Sequence, residues 1–302
     1  MSAPQPGIFA LGTRAVHHLE FSCRPGLSAN EIRDHLAKLN HPNVAAGATN
    51  KVIGFGPDLW SLITPSEVPA GLAPFETVEG INGHRAPSTQ GDIWMWVHGS
   101  EPDEVIDTVR AVCAVLDPIA ELTLDAPSFV YHDSRDMTGF IDGTANPTPP
   151  NAPSVALVPD GQPGEGGSHV LVQRWKHNLA AFEQLDVSEQ EEVFGRSKLD
   201  SVAIPKPVRP KDAHISRAEV LDAQGEEREM YRRSTAWADA EEQGLMFLAF
   251  CSDRSLYEVM IERMYGLDST AIQDRLLDFT NAVSGSYYFA PSVTDLQALD
   301  YD

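Results

Sequence analysis

The sequence predicts an α+β fold made of two β-α-β-β-α-β halves, each an antiparallel four-stranded sheet with flanking helices. Three observations carry this. Alternating apolar runs and helical periodicities follow one another in that order over residues 1–143. A stretch with six prolines and four glycines, residues 144–168, then breaks the pattern. Beyond it, over residues 169–302, the pattern starts again. This order is the ferredoxin-like arrangement, and its duplication is read from element order alone, because no sequence-level repeat accompanies it.

In the first half, residues 13–23 alternate as a strand does, Ala15, His17, Leu19 and Phe21 against Val16, His18 and Glu20. Ser28 and Glu31 form a capping box that opens a helix with Ile32, Leu36 and Leu39 on one face. Residues 50–56 and 92–98 read as the second and third strands. Ser100 and Asp103 are expected to cap the next helix, whose Val105, Ile106, Val109, Val112, Cys113 and Leu116 recur at helical spacing. A strand over 129–132 completes the set.

In the second half, His169–Trp175 reads as a strand. Ser188 and Glu191 are expected to cap a helix carrying Val193 and Phe194. Leu245–Cys251 is a continuous apolar strand, expected to be buried on both faces. Leu256, Val259, Met260 and Met264 fit one helix, and Ile272, Leu276 and Phe279 another. Tyr287, Tyr288 and Phe289 form the last strand.

The apolar fraction of 42% supports a sizeable core. The formal charge of −22 argues against nucleic acid and anionic membranes as partners. Cys23, Cys113 and Cys251 are odd in number and form no CxxC, so free thiols in a reducing compartment are expected. No signal peptide, twin-arginine signal or membrane span is visible, and cytoplasmic residence is the expectation. There is no HExxH, no G-x-S-x-G elbow and no phosphate-binding glycine loop.

The most informative stretch is Gly139-Phe140-Ile141-Asp142-Gly143-Thr144-Ala145-Asn146-Pro147. Asp-Gly and Asn-Pro both turn the chain and place the Asp142 carboxylate at a bend beside apolar neighbours. Such a group can shuttle a proton or simply close a loop as an Asx turn. His214 follows the stiff segment Ile204-Pro205-Lys206-Pro207-Val208-Arg209-Pro210. A rigidly held imidazole suits a haem iron, and a surface-loop histidine looks the same in sequence. Arg232 and Arg233 precede the apolar strand, either as a solvated strand end or as a cation over a reacting oxygen. On an extended segment Arg233 is expected to point away from Arg232.

GFIDGTANP resembles the GxxDG signature of the dye-decolorizing peroxidases, and the likeness to their compact B-type runs over nearly the whole chain. That family places a proximal histidine well after the signature and a distal arginine shortly beyond it. Asp142, His214 and Arg232 stand here in that order. The resemblance implies two ferredoxin-like halves with haem b in the second and His214 as the axial ligand of the iron. It implies Asp142, Arg232 and Asn146 as catalytic residues, with Asn146 hydrogen-bonded within the distal loop. Ile141, Gly143, Thr144, Phe247 and Met260 are implied to contact the haem, and Arg196, from Gly195-Arg196-Ser197-Lys198, to meet a propionate. Asp278 is the candidate partner of the His214 ring, and Asp274 competes for that role.

The implied activity is reduction of hydrogen peroxide and oxidation of dyes, phenols or other small one-electron donors, through a ferryl intermediate, in a homo-oligomer. Trp60, Trp94, Trp96, Trp175, Trp237 or tyrosines are implied as electron relays, or serve as packing. The alternative is a haem-handling protein with incidental peroxidase activity. Two departures stand out. Ser234 replaces an asparagine found in many relatives, and Ala145 replaces a glutamate. They bear on peroxide affinity and manganese oxidation.

Overall fold

The computed structural model describes residues 2–66 and 68–299. The first half runs β1 (Ala15–Cys23), α1 (Ala29–Ala37), β2 (Asn50–Phe55), α2 (Pro57–Ile63), a small hairpin of β3 (Val78–Glu79) and β4 (Arg85–Ala86), β5 (Ile93–Gly99), α3 (Pro102–Leu116) and β6 (Ala120–Phe129). The connection carries α4 (Ala152–Ala156). The second half runs β7 (Ser168–His177), α5 (Leu179–Phe182), α6 (Val187–Phe194), α7 (His214–Ala218), β8 (Tyr231–Arg232), β9 (Thr235–Ala238), β10 (Gln243–Cys251), α8 (Ser255–Met264), β11 (Thr280–Ala282), β12 (Ser286–Ala290) and α9 (Val293–Ala298).

The two halves do not keep separate four-stranded sheets. Ten strands form one sheet in the order β11-β7-β12-β2-β5-β1-β6-β9-β10-β8, and β7 also pairs with β10. That extra pairing closes eight of the strands into an antiparallel barrel. Within each half the strands are well laddered, as in the run of β1 against β5 from Ala15–Gly99 to Phe21–Ile93. The two joins between halves are thin. Only Phe289–Phe55 pairs across one and only Phe129–Ala236 across the other.

Strand alternation sorts the core into layers. Val16, Trp94, Trp96, Val172, Leu248, Phe250 and Tyr288 fill the barrel. Leu19, Phe21, Met95 and Val97 face the other way, onto α1, α2 and α3. On the second half Leu171, Trp175 and Ala249 face α8 through Tyr257, Met260 and Met264. The barrel also holds polar groups. Burial, then the charges of His98 and His17, pushes His18 down to about 3. Burial, then Arg233, pushes His98 down to about 3. Burial raises Glu20 to about 7 against hydrogen bonds from Tyr288 (2.9 Å) and Ser286 (3.0 Å).

Several expectations move. The last strand of the first half lies at Ala120–Phe129, not 129–132. Its run of exposed residues and its Pro127 hide the strand period. Neither Ser100 nor Asp103 caps α3, whose N-cap is Glu101 with no side-chain hydrogen bond. The second-half capping box is Asp186 with Glu189, two residues earlier than expected. The Ile272–Phe279 helix is only a 3-10 turn at Arg275–Asp278, and the 144–168 connection contains α4. β10 is not buried throughout, since Leu245 and Phe247 stay partly exposed. All three cysteines are free. Among the described residues no helix is long and apolar enough to cross a membrane.

Candidate active site

Asp142 sits at the end of a tightly held loop. Its N–H donates to the Ser134 carbonyl (2.9 Å), and Asn146 N–H donates to the Gly143 carbonyl (3.0 Å). Gly143 has φ +79°, a conformation that a side chain strains, so glycine suits the position after Asp142. Upstream, Asp136 N–H donates to the Phe140 carbonyl (2.8 Å), and the Asp136 carboxylate accepts from His177 (2.8 Å) and Thr138 (2.5 Å). Burial raises the Asp136 carboxyl, but His177 and Thr138 outweigh it and hold it below its ordinary value. The loop is thereby moored to the end of β7.

Asn146 departs from its expected partner. It bridges to β8 rather than within its own loop. Its Nδ2 donates to the Arg232 carbonyl (2.8 Å), and Arg232 N–H donates to its Oδ1 (3.0 Å). An amide is the side chain that can satisfy both groups of one residue in this way. Asp142, Gly143, Asn146 and Arg232 line one cavity of about 460 Å³. The Arg232 Nε is buried there without a hydrogen-bond partner. Arg233 lines the same cavity but turns elsewhere, donating to the carbonyls of Ile8 (2.7 Å) and Ala10 (2.7 Å) and lying 4.9 Å above the Trp96 ring.

His214 lies outside that cavity, as the first residue of α7. Its Nδ1 donates to Asp274 Oδ2 at 2.7 Å, with Asp274 wholly buried and the imidazole 27% exposed. The other Asp274 oxygen accepts from Leu276 N–H (2.9 Å), the cap of the 3-10 turn. One carboxylate thus ends a turn and aims a ring. Asp278 does not hold His214: it is 55% exposed and stands 3.4 Å from His84. Four residues after Asp274, at the far end of the same turn, it faces His84 instead of the imidazole. The Asp274 signal in sequence was its position before a turn, which Asp278 shares only in part.

α6 ends at Gly195 with φ +79°, and a side chain there would strike Ile215, Arg209 and Ala213. That close approach sets Arg196 beside the His214 segment. Arg196 Nη1 donates to the Ser201 carbonyl (3.1 Å). Burial, then the neighbouring Arg232 and Arg209 cations, lowers its guanidinium. Arg232 and Arg209 thus lie near enough to Arg196 to act on its charge, while Arg209 also stands 3.9 Å from Glu219. Thr144 meets Ser201 at 3.1 Å and is exposed. Ile141 is half-buried. Phe247 and Met260 share the apolar cluster between β10 and α8.

These residues fit a haem on three counts. One ring nitrogen of His214 is fixed by a buried carboxylate, which orients the other for a metal. Arg232 carries a buried donor with no protein acceptor. Arg196, Arg209 and Arg232 suit acidic groups at a porphyrin edge.

The chain is similar to known proteins along most of its length. The N-terminal domain model of the Dyp-type peroxidases matches residues 14–122, and the C-terminal one residues 133–295. A dye-decolorizing peroxidase of Rhodococcus erythropolis is 30% identical over 96% of this chain and 86% of its own. Another, from Brevibacterium linens, is 33% identical over 80% of this chain, which spans 66% of that protein. A deferrochelatase of Yersinia pestis is 24% identical over 68% of this chain and 55% of its own. Among solved structures, a variant of Rhodococcus jostii RHA1 DypB in complex with heme superposes with a TM-score of 0.91 at 31% identity, covering 98% of this chain and 99% of that one. The encapsulated DyP-type peroxidase of Mycobacterium smegmatis gives 0.90 at 28%, covering 98% of both.

Proposed function

This chain belongs to the Dyp-type peroxidase family, and on that basis we propose that it binds haem b and reduces hydrogen peroxide with electrons from dyes, phenols or other small donors. The observation that carries this reading is the His214–Asp274 pair, an imidazole oriented at 2.7 Å by a wholly buried carboxylate. His214 would hold the iron, and Asp274 would raise the basicity of its ring. Arg196 and Arg209 would meet the acidic edge of the porphyrin. When bound, the haem supplies a redox-active iron that takes two oxidising equivalents from peroxide and returns them one at a time.

The other steps belong to side chains. Asp142 accepts a proton from the near oxygen of peroxide and delivers it to the far one, so the far oxygen leaves as water. Arg232 offers fixed positive charge to that oxygen as the O–O bond breaks. Asn146 holds the Arg232 main chain in place rather than touching peroxide. The matching strand orders, β6-β1-β5-β2 and β12-β7-β10-β9, support two ferredoxin-like halves meeting near residues 144–168. Cytoplasmic residence and self-association complete the reading.

An absorption spectrum before and after one equivalent of peroxide tests it. The purified protein should show a Soret band that changes with peroxide and returns when a phenolic donor is added. Haem that exchanges freely into apomyoglobin, with no spectral response to peroxide, would point to haem handling instead.

A further inference from the structure

Asp136 moors one side of the Asp142 loop, and a second group moors the other. The Arg135 guanidinium makes five hydrogen bonds. Nη1 donates to the carbonyls of Gly139 (2.7 Å) and Lys198 (2.8 Å), and Nη2 to that of Leu199 (2.9 Å). The Asp133 carboxylate accepts from Nε (2.9 Å) and Nη2 (3.1 Å), which fixes the plane of the fork. The Arg135 main chain bridges Tyr131 on one side and Ile141, next to Asp142, on the other. One side chain therefore joins two irregular segments. The first is the turn that ends in Asp142. The second is the 197–202 loop, where the Ser201 carbonyl accepts from Arg196 (3.1 Å) and the Ser201 hydroxyl meets Thr144 (3.1 Å).

We infer that Arg135 is a positioning residue for Asp142: its guanidinium clasps the Asp142 turn to the loop that supports Arg196. Neither segment has a strand ladder or helix to hold it, so three main-chain carbonyls depend on this one group. The clasp rests on the proposed peroxidase reading for its catalytic meaning, and it couples two tasks. A shift in the 197–202 loop, which supports the candidate anchor of the porphyrin edge, is carried through Gly139 to the carboxylate that moves the proton. Displacing a reacting group by about 1 Å is enough to cost about 10²-fold in rate.

The test uses the haem-loaded enzyme and the variants Arg135→Ala and Arg135→Lys. In Arg135→Ala, amide exchange should quicken in 139–144 and 197–202 together, and guanidinium ion added to the solution should slow both. Its reaction with peroxide, followed by stopped flow, should fall about 10²-fold. In an Asp142→Asn background the same substitution should cost little, because it acts through Asp142. Lysine keeps the charge without the planar fork, so Arg135→Lys should recover only part of the rate, and it carries the comparison if alanine prevents folding. Unchanged exchange in either segment overturns the clasp, and so do rate losses that multiply in the double variant. If Asp142→Asn alone leaves the rate unaltered, it is the proton role of Asp142 that fails, while the exchange result still decides on the clasp.

Discussion

At the scale of single residues, the choice between two aspartates in one turn decides how His214 is held. Asp274 is buried on the ring and Asp278 is turned toward His84. Asp274→Asn should therefore shift the haem spectrum and weaken haem retention, since the ring loses its charged partner, with changes of about 10–100-fold in affinity. Asp278→Asn should leave both unaltered, and competition with apomyoglobin checks the pair. Arg233 carries a different lesson. Extended spacing predicts only that it diverges from Arg232, and it does. Its partners, the Ile8 and Ala10 carbonyls, lie more than two hundred residues away in sequence. No local pattern encodes such a contact. Arg233→Leu should expose two carbonyls and a buried ring face, lowering the thermal midpoint by several degrees, about 1–3 kcal/mol. An unchanged melting curve would show that the N-terminal segment is held by other means. Residue type and order were enough to single out Asp142, His214 and Arg232 as candidates, and Asp274 as one of two aspartates for the His214 ring. The contacts of Arg233 and Asn146 left no such mark.

At the scale of elements, β8 is only Tyr231–Arg232, and it bonds β10 over two residues. So short a strand has little register of its own. Asn146 supplies what the ladder lacks by gripping both main-chain groups of Arg232. Asn146→Ala should let β8 slip, slowing the reaction with peroxide about as Arg232→Leu does, on the order of 10²–10³-fold. Asn146→Asp keeps the acceptor but loses the donor, and it should fall between. Equal stopped-flow rates for Asn146→Ala and the parent would remove the grip from the account. The same scale shows why element reading succeeded unevenly. Strands such as β5 and β10, apolar over several residues, announce themselves. β6 does not, because its outward face is exposed and polar and Pro127 interrupts it. Caps shift by two residues where several polar candidates compete, as at Asp186 and Ser188.

At the scale of the whole molecule, the closed barrel buries groups whose protonation it must control. The native state keeps His18 and His98 neutral down to about 3, and burial does the same for His169 down to about 4. An unfolded chain protonates such residues near ~6.5, so their contribution is whole above that pH and is lost as pH falls. Glu20 works in the opposite sense. Its native value is about 7, so its protonated form stabilises most below its unfolded value and is lost as pH rises through 7. Three groups against one leave a net uptake of about two protons on unfolding between roughly pH 4.5 and 6.5. Urea midpoints should therefore fall on acidification across that window. Glu20→Gln should steepen the fall by about one proton, worth about 1.4 kcal/mol per pH unit. A shallower slope in that variant would contradict the assignment. None of this was legible from the chain. Closure depends on pairs such as Phe55–Phe289, far apart in sequence and without any period.

The thin joins at Phe55–Phe289 and Phe129–Ala236 also give the ring a direction of weakness. Inside each half, tension along a strand is shared by a full ladder and must shear many bonds at once. Between the halves it meets, besides a few side-chain hydrogen bonds such as Tyr288 to Glu20, ring contacts across the barrel interior such as Trp96 on Phe250, 6.0 Å between centroids, which vanish after a small separation. Pulled between handles on α3 and α8, the molecule should behave as a brittle hoop. It should crack along two opposite lines at low extension, and only then should either half begin to stretch.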